Sequence, residues 1–129
     1  MSLRVLVGSS DPGVAKSLDV GLPPQSYELM PTCPFQKVVE TVADGHPDVL
    51  VLDIEGQGSI LSGEVVHLLR SVQPALRIVI LNAVSSFHDA EVIEEGVFYY
   101  MTKPADGSRL VEVVEAAGRA VLRRREKRW

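Results

Sequence analysis

Strand and helix signals alternate along the whole chain, and this order predicts an α/β sandwich on a parallel sheet. Two observations carry the prediction. Short runs such as Val49-Leu50-Val51-Leu52 and Ile78-Val79-Ile80-Leu81 are apolar on both faces, as central parallel strands covered by helices on both sides must be. Between such runs lie segments whose apolar residues recur three and four apart, the spacing of one helix face.

Each element has its own local reason. Residues 4–8 read as a short buried strand. Asp11-Pro12 opens a helix, with Asp as N-cap and Pro at the first helical position. Val14, Leu18 and Leu22 form its apolar side, and Pro23-Pro24 ends it. Residues 27–30 make a weak second strand, expected at an edge. Residues 34–43 read as a helix with Phe35, Val38, Val39 and Val42 on one face, closed by Gly45. Residues 49–53 are the strongest strand. A Gly-rich loop over 54–59 leads to a helix expected to bury Val65, Val66, Leu68, Leu69 and Val72. Residues 77–81 form another strand. Ser85 or Ser86 caps a fourth helix containing Ala90, Val92 and Ile93 and ended by Gly96. Residues 97–101 are the last strand. The last helix starts near Asp106 or Ser108, with Leu110, Val113, Val114, Ala117, Val121 and Leu122 as its stripe.

The count is five strands and five helices. Right-handed crossovers leave few topologies, and the flavodoxin-like strand order 2-1-3-4-5 is the expected one. Residues 3–122 form the domain, and 123–129 are a basic tail or the start of a linker.

Composition narrows the function classes. With 129 residues and 46% hydrophobic content, one domain has a core of its own. The single Cys33 excludes an intramolecular disulfide and suits a reducing cytosol. No apolar run approaches the ~20 residues of a membrane span, and no signal peptide is read at the start, so a cytoplasmic protein is expected. The net charge of -4 hides a basic stretch, Arg123-Arg124-Arg125-Glu126-Lys127-Arg128, on a more acidic body. That body does not suit nucleic acid, and cations at a helix C-terminus are favoured by the dipole. His46, His67 and His88 show no ligand spacing. Gly56-Gln57-Gly58 is not followed by a phosphate-loop motif. No enzyme is expected.

Asp53 ends one buried run, and Thr102-Lys103-Pro104 closes another. In an open parallel sheet, ligands bind at the carboxyl ends of the strands, so this carboxylate and this ammonium should share a rim. The segments Arg4-Val5-Leu6-Val7-Gly8-Ser9-Ser10-Asp11-Pro12, Pro47-Asp48-Val49-Leu50-Val51-Leu52-Asp53-Ile54, Ile78-Val79-Ile80-Leu81-Asn82-Ala83 and Gly96-Val97-Phe98-Tyr99-Tyr100-Met101-Thr102-Lys103-Pro104 resemble the receiver domain of two-component response regulators, over essentially the whole chain. The resemblance implies a phosphorelay role, with a histidine kinase or phosphotransfer protein as donor and Asp53 as phosphoacceptor. It implies Lys103, Asn82 and Ala83 as phosphate contacts and Tyr100 as the switch aromatic. Glu55 matches the residue whose carbonyl completes a Mg²⁺ shell. The partner surface would be formed by the fourth helix, last strand and last helix, and would take a protein, a second copy included.

The departures are as informative as the matches. Ser9 and Ser10 stand where the family has its metal-binding acids. Asn82 replaces a hydroxyl, Gln57 replaces a proline, and the following loop reads as about two residues longer. Phosphoryl transfer depends on positioning and charge neutralisation, and Mg²⁺ wants carboxylates. Asp53, Glu55, Asp11 and Ser10 make a poor cage, and Asp11 is expected to be committed to its cap, so Mg²⁺ binding should be weak. Two readings stay open: a phosphoacceptor, or a degenerate pseudo-receiver in which Asp53 and Lys103 form a plain ion pair and the domain is a phosphorylation-independent interaction module.

Overall fold

A computed structural model describes residues 2–82, 97–103 and 106–126. In chain order the elements are β1 (Leu3–Gly8), α1 (Pro12–Gly21), β2 (Tyr27–Leu29), a 3₁₀ turn (Phe35–Lys37), α2 (Val38–Gly45), β3 (Val49–Asp53), α3 (Ser59–Val72), β4 (Arg77–Asn82), β5 (Tyr99–Thr102) and α4 (Gly107–Glu126). All strand pairings are parallel, and the order is β2-β1-β3-β4-β5, as the sequence predicts. Among the described residues there are four α-helices, not five. The predicted fourth helix, with Ser85, Ser86 and Gly96, falls on residues 83–96, which lie outside the described residues.

Period-two alternation divides the core into two layers. Val5, Val7, Val49, Val51, Val79 and Leu81 face one way, against α1 and α4. Leu6, Leu50, Leu52, Ile78 and Ile80 face the other, against Phe35, Val38, Val42, Val66 and Leu69. All five residues of β3 are buried, which is why that segment reads as unbroken apolar sequence. Each fully buried Leu, Ile or Val contributes about 1.5–3 kcal/mol relative to exposure.

Several elements differ from expectation for identifiable reasons. The helix expected over 34–43 starts as a 3₁₀ turn after Pro34, which is extended at φ -72, ψ 161, and α2 proper runs on to Gly45. His46, not Gly45, takes the left-handed capping conformation at φ 47. Gly45 serves instead for close packing, because a Cβ there would collide with the Met30 side chain. On α3, Leu68 and Val72 were expected inside but are 50% and 41% exposed. The buried side follows Ser62, Val66 and Leu69 instead, with the Ser62 hydroxyl satisfied by the Gly58 carbonyl at 3.0 Å. On α4, Leu110, Val113, Val114, Ala117 and Val121 are buried as expected, whereas Leu122 is exposed and Gly118 is buried. Asp106 accepts from the Ser108 amide at 2.9 Å, so it caps α4. That helix continues through Arg123–Arg125 to Glu126. Among the described residues, no helix is long and apolar enough to cross a membrane.

Chain order and strand order together position the site. From β1 the chain passes outward to β2, then returns to β3 on the other side of β1. The connections leaving β1 and β3 therefore diverge, opening a crevice at their carboxyl ends.

Candidate functional site

The parallel sheet delivers Ser9 just after β1, Asp53 as the last residue of β3 and Lys103 just after β5. The carboxylate and ammonium predicted to share a rim are in contact there. Lys103 Nζ donates to Asp53 Oδ2 at 2.8 Å, with side chains only 11% and 8% exposed. The same ammonium donates to Glu55 Oε2 at 2.8 Å and pairs with Asp11 Oδ2 at 3.1 Å. One cation thus faces three carboxylates.

Asp53 is held on both oxygens. Oδ1 accepts the Glu55 backbone N–H at 3.0 Å, and Oδ2 accepts the Ser9 hydroxyl at 2.8 Å in addition to Lys103. Ser9 Oγ in turn accepts the Asp11 backbone N–H at 3.0 Å. The two serines are not equivalent: Ser9 is buried and Ser10 is exposed. Ser9 supplies a proton to a carboxylate, a role its neighbour does not share.

The expected conflict over Asp11 does not arise. Its Oδ1 accepts the Gly13 amide at 2.9 Å and caps α1, while Oδ2 reaches Lys103. Two oxygens serve two partners. The Gly13 amide, and then Lys103, hold the Asp11 carboxyl below the usual carboxylate range. Burial works to lower the Lys103 pKa, but the bonds to Asp53, Glu55 and Asp11 outweigh it and hold the ammonium above its usual range.

The remaining predicted residues divide. Asn82 ends β4 at the same rim, and its carbonyl accepts the Lys103 amide at 2.6 Å. Ala83 and Pro104 lie outside the described residues. Tyr100 is half-buried against the layer containing α2 and α3. Tyr99 faces the opposite way, where Arg109 donates to its hydroxyl at 2.7 Å and stacks 5.5 Å from its ring centroid. The resemblance gives Glu55 a role through its backbone carbonyl; here its side chain also reaches Lys103. The Arg109–Tyr99 contact was not foreseen, although a long cation ten residues beyond an edge tyrosine is the signal for it.

A cavity of about 430 Å³ opens at this rim, lined by Ser9, Ser10, Asp11, Asp53, Glu55 and Lys103 among others. Its donor set suits an ammonium better than Mg²⁺. The carboxylates converge on Nζ, and both Asp53 oxygens already accept hydrogen bonds. Among the described residues, no group of three or more His, Cys, Asp or Glu is arranged to hold a metal ion. Mg²⁺ demands near-octahedral oxygen ligation and gives up its water reluctantly. Loading this rim would first require moving Lys103.

No family model matches the chain. It is 28% identical over 118 residues, 88% of its length, to the DNA-binding transcriptional regulator NtrC of Azospirillum brasilense. It is 26% identical over 130 residues, 98% of its length, to the transcriptional regulatory protein GlrR of Escherichia coli K12. The chain spans 24% and 28% of the length of those relatives. Among solved structures, a CheY-like response regulator receiver domain protein from Methanospirillum hungatei superimposes with a TM-score of 0.81 at 14% identity, covering 96% of this chain and 99% of that one. A response regulator from Thermotoga maritima gives 0.77 at 16% identity, covering 91% and 98%. The chain thus has the fold of solved response-regulator receiver domains, and over most of its length its sequence is similar to segments of these longer transcriptional regulators.

Proposed function

We propose that this receiver domain serves two-component signalling as a non-enzymatic, cytoplasmic protein-interaction module that does not require phosphorylation of Asp53. One observation carries the reading. Asp53 is engaged on both oxygens by Ser9, Lys103 and the Glu55 amide, at a rim where serines stand in place of the acids that would hold Mg²⁺. A phosphoryl acceptor must present a free carboxylate oxygen in line with the incoming group, with cations to absorb the developing charge. Here, among the described residues, Lys103 is already shared among three carboxylates, an excess of negative charge that repels a phosphodonor.

A second reading, phosphoacceptance at Asp53 from a histidine kinase or phosphotransfer protein, is favoured by the open cavity above Asp53 and Lys103. Incubation with acetyl phosphate and Mg²⁺, followed by intact mass measurement, separates the two. The interaction-module reading expects no phosphoryl adduct. An adduct that disappears in Asp53→Asn overturns it and establishes the second reading.

A further inference from the structure

Beyond Val121 the last helix leaves the core. Val121 is buried, whereas residues 122–126 are all exposed. A cavity of about 260 Å³ lies between this turn and the body of the domain. Val121, Arg124 and Arg125 line it from the helix, and His46, Asp48, Gln73 and Ala75 line it from the loops and strand start opposite. The turn carries three successive bases, Arg123, Arg124 and Arg125. The helix dipole favours cations at this end, but neighbouring like charges work against one another. Neither apolar burial nor close packing holds the turn down.

An ion pair reaches across the gap. Arg125 Nη2 donates to Asp48 Oδ1 at 2.5 Å. The two ends of this pair differ in how firmly they are seated. Asp48 is a fixed post just before β3, its side chain only 14% exposed. Its Oδ2 accepts the Arg4 amide at 2.8 Å, its own amide donates to the Arg4 carbonyl at 2.8 Å, and its carbonyl accepts the Arg77 amide at 3.2 Å. Arg125 stands on an exposed turn, its side chain 41% exposed. A buried, backbone-anchored carboxylate thus holds a cation on a turn that has little other purchase on the core.

We infer that Asp48 and Arg125 form an ionic latch. Through this pair the last turn of α4 docks on the amino end of β3, and it undocks as a local unit when ions compete for Arg125. Local opening of this kind belongs to segments with few buried apolar contacts and exposed backbone bonds, which describes residues 122–126. Closed, the latch covers the charge of Arg125 and keeps the helix in line to its last turn. Open, it presents a basic turn while the sheet stays intact, because Asp48 keeps its bonds to Arg4 and Arg77. The latch lies at the end of the sheet opposite Asp53 and is independent of whether Asp53 accepts phosphate.

The test is residue-resolved amide hydrogen exchange on the full chain, in wild type, Asp48→Asn, Arg125→Gln and the double variant. Asn keeps an oxygen for the Arg4 amide, and position 125 is exposed, so neither change threatens the fold. Each single variant should speed exchange of the amides of 122–126 about two- to fivefold, the range of a partly exposed ion pair. The double variant should add nothing further, because both changes remove the same contact. Raising sodium chloride to about 1 M, where the screening length falls to about 3 Å, should speed these amides in wild type and leave the variants unchanged. Amides of β1 and β3 should not respond. The inference is overturned if Arg125→Gln exchanges as wild type, if the two single effects add, or if salt acts equally on wild type and variants. Faster exchange spreading into β1 and β3 in Asp48→Asn also overturns it and makes Asp48 a support of the sheet instead.

Discussion

Ser9 and Lys103 donate to the same oxygen of Asp53, each at 2.8 Å. A neutral hydroxyl has thus taken over one of the contacts that hold the carboxylate, where an acid would have repelled it. This is a self-sufficient arrangement. It explains how the rim is satisfied without a bound cation other than Lys103.

Replacing Ser9 by Asp should be costly and replacing Ser10 by Asp should not. Ser9 is buried beside Asp53, whereas Ser10 is exposed. A carboxylate at position 9 loses the donated proton and adds like charge, so we predict a loss of about 1–3 kcal/mol in urea unfolding. The double variant should regain stability on adding Mg²⁺ by mass action. Equal effects of the two single variants would show that the placement of Ser9 does not govern the site.

Removing the ammonium should be the largest single perturbation at the rim. Lys103→Met leaves Asp53, which is only 8% exposed on its side chain, beside two other carboxylates. Breaking a fully buried pair costs about 3–5 kcal/mol; this rim is open to water on one side, so about 3 kcal/mol is expected from denaturant melts. A change below 1 kcal/mol would place the pair among ordinary surface bridges.

The pH dependence of that difference has a definite sign. Lys103 is raised above its ordinary 10.5, so its contribution is complete below pH 10.5 and is lost as pH rises through the raised value. Asp11 is lowered from 3.8, so its contribution is present above pH 3.8 and is lost as pH falls through the lowered value. The stability gap between wild type and Lys103→Met should therefore be steady across neutral pH and shrink beyond both limits. A gap that changes between pH 6 and pH 8, roughly the window where histidine titrates, would point to a different group.

Asp11 can be dissected because its oxygens have separate tasks. Asp11→Asn keeps an N-cap of similar quality and removes only the charge facing Lys103. Asp11→Ala also removes the cap on α1, a further cost of about 1 kcal/mol. Identical melting of the two variants would contradict the observed division of labour.

Much of this molecule was legible in its sequence because the signals were local and repetitive. The strand β3 announced itself through four successive apolar residues followed by Asp53, and the sheet order followed from alternation and crossover handedness. Boundaries were less legible where backbone chemistry intervened, as at His46, whose left-handed turn was expected at Gly45. The buried side of α3 was misjudged because valines and leucines lie around most of its circumference, and a serine, Ser62, occupies an inward position. At the rim, composition disclosed Asp53 and Lys103. It could not disclose that Ser9 turns inward while Ser10 turns out, or that Asp11 serves two partners, since both depend on side-chain directions set by the turn after β1.

The contact between α1 and α4 has a mechanical consequence. A side chain at Gly21 would strike Val111, and one at Gly107 would lie 3.0 Å from Ser17; further along α4, where it faces the sheet, one at Gly118 would lie 2.6 Å from the Tyr27 hydroxyl of β2. The 20-residue α4, about 30 Å long, is therefore seated at near-backbone distance on α1 at its start and on β2 further along, so a single added methyl group at any of the three glycines would have to displace a neighbouring side chain.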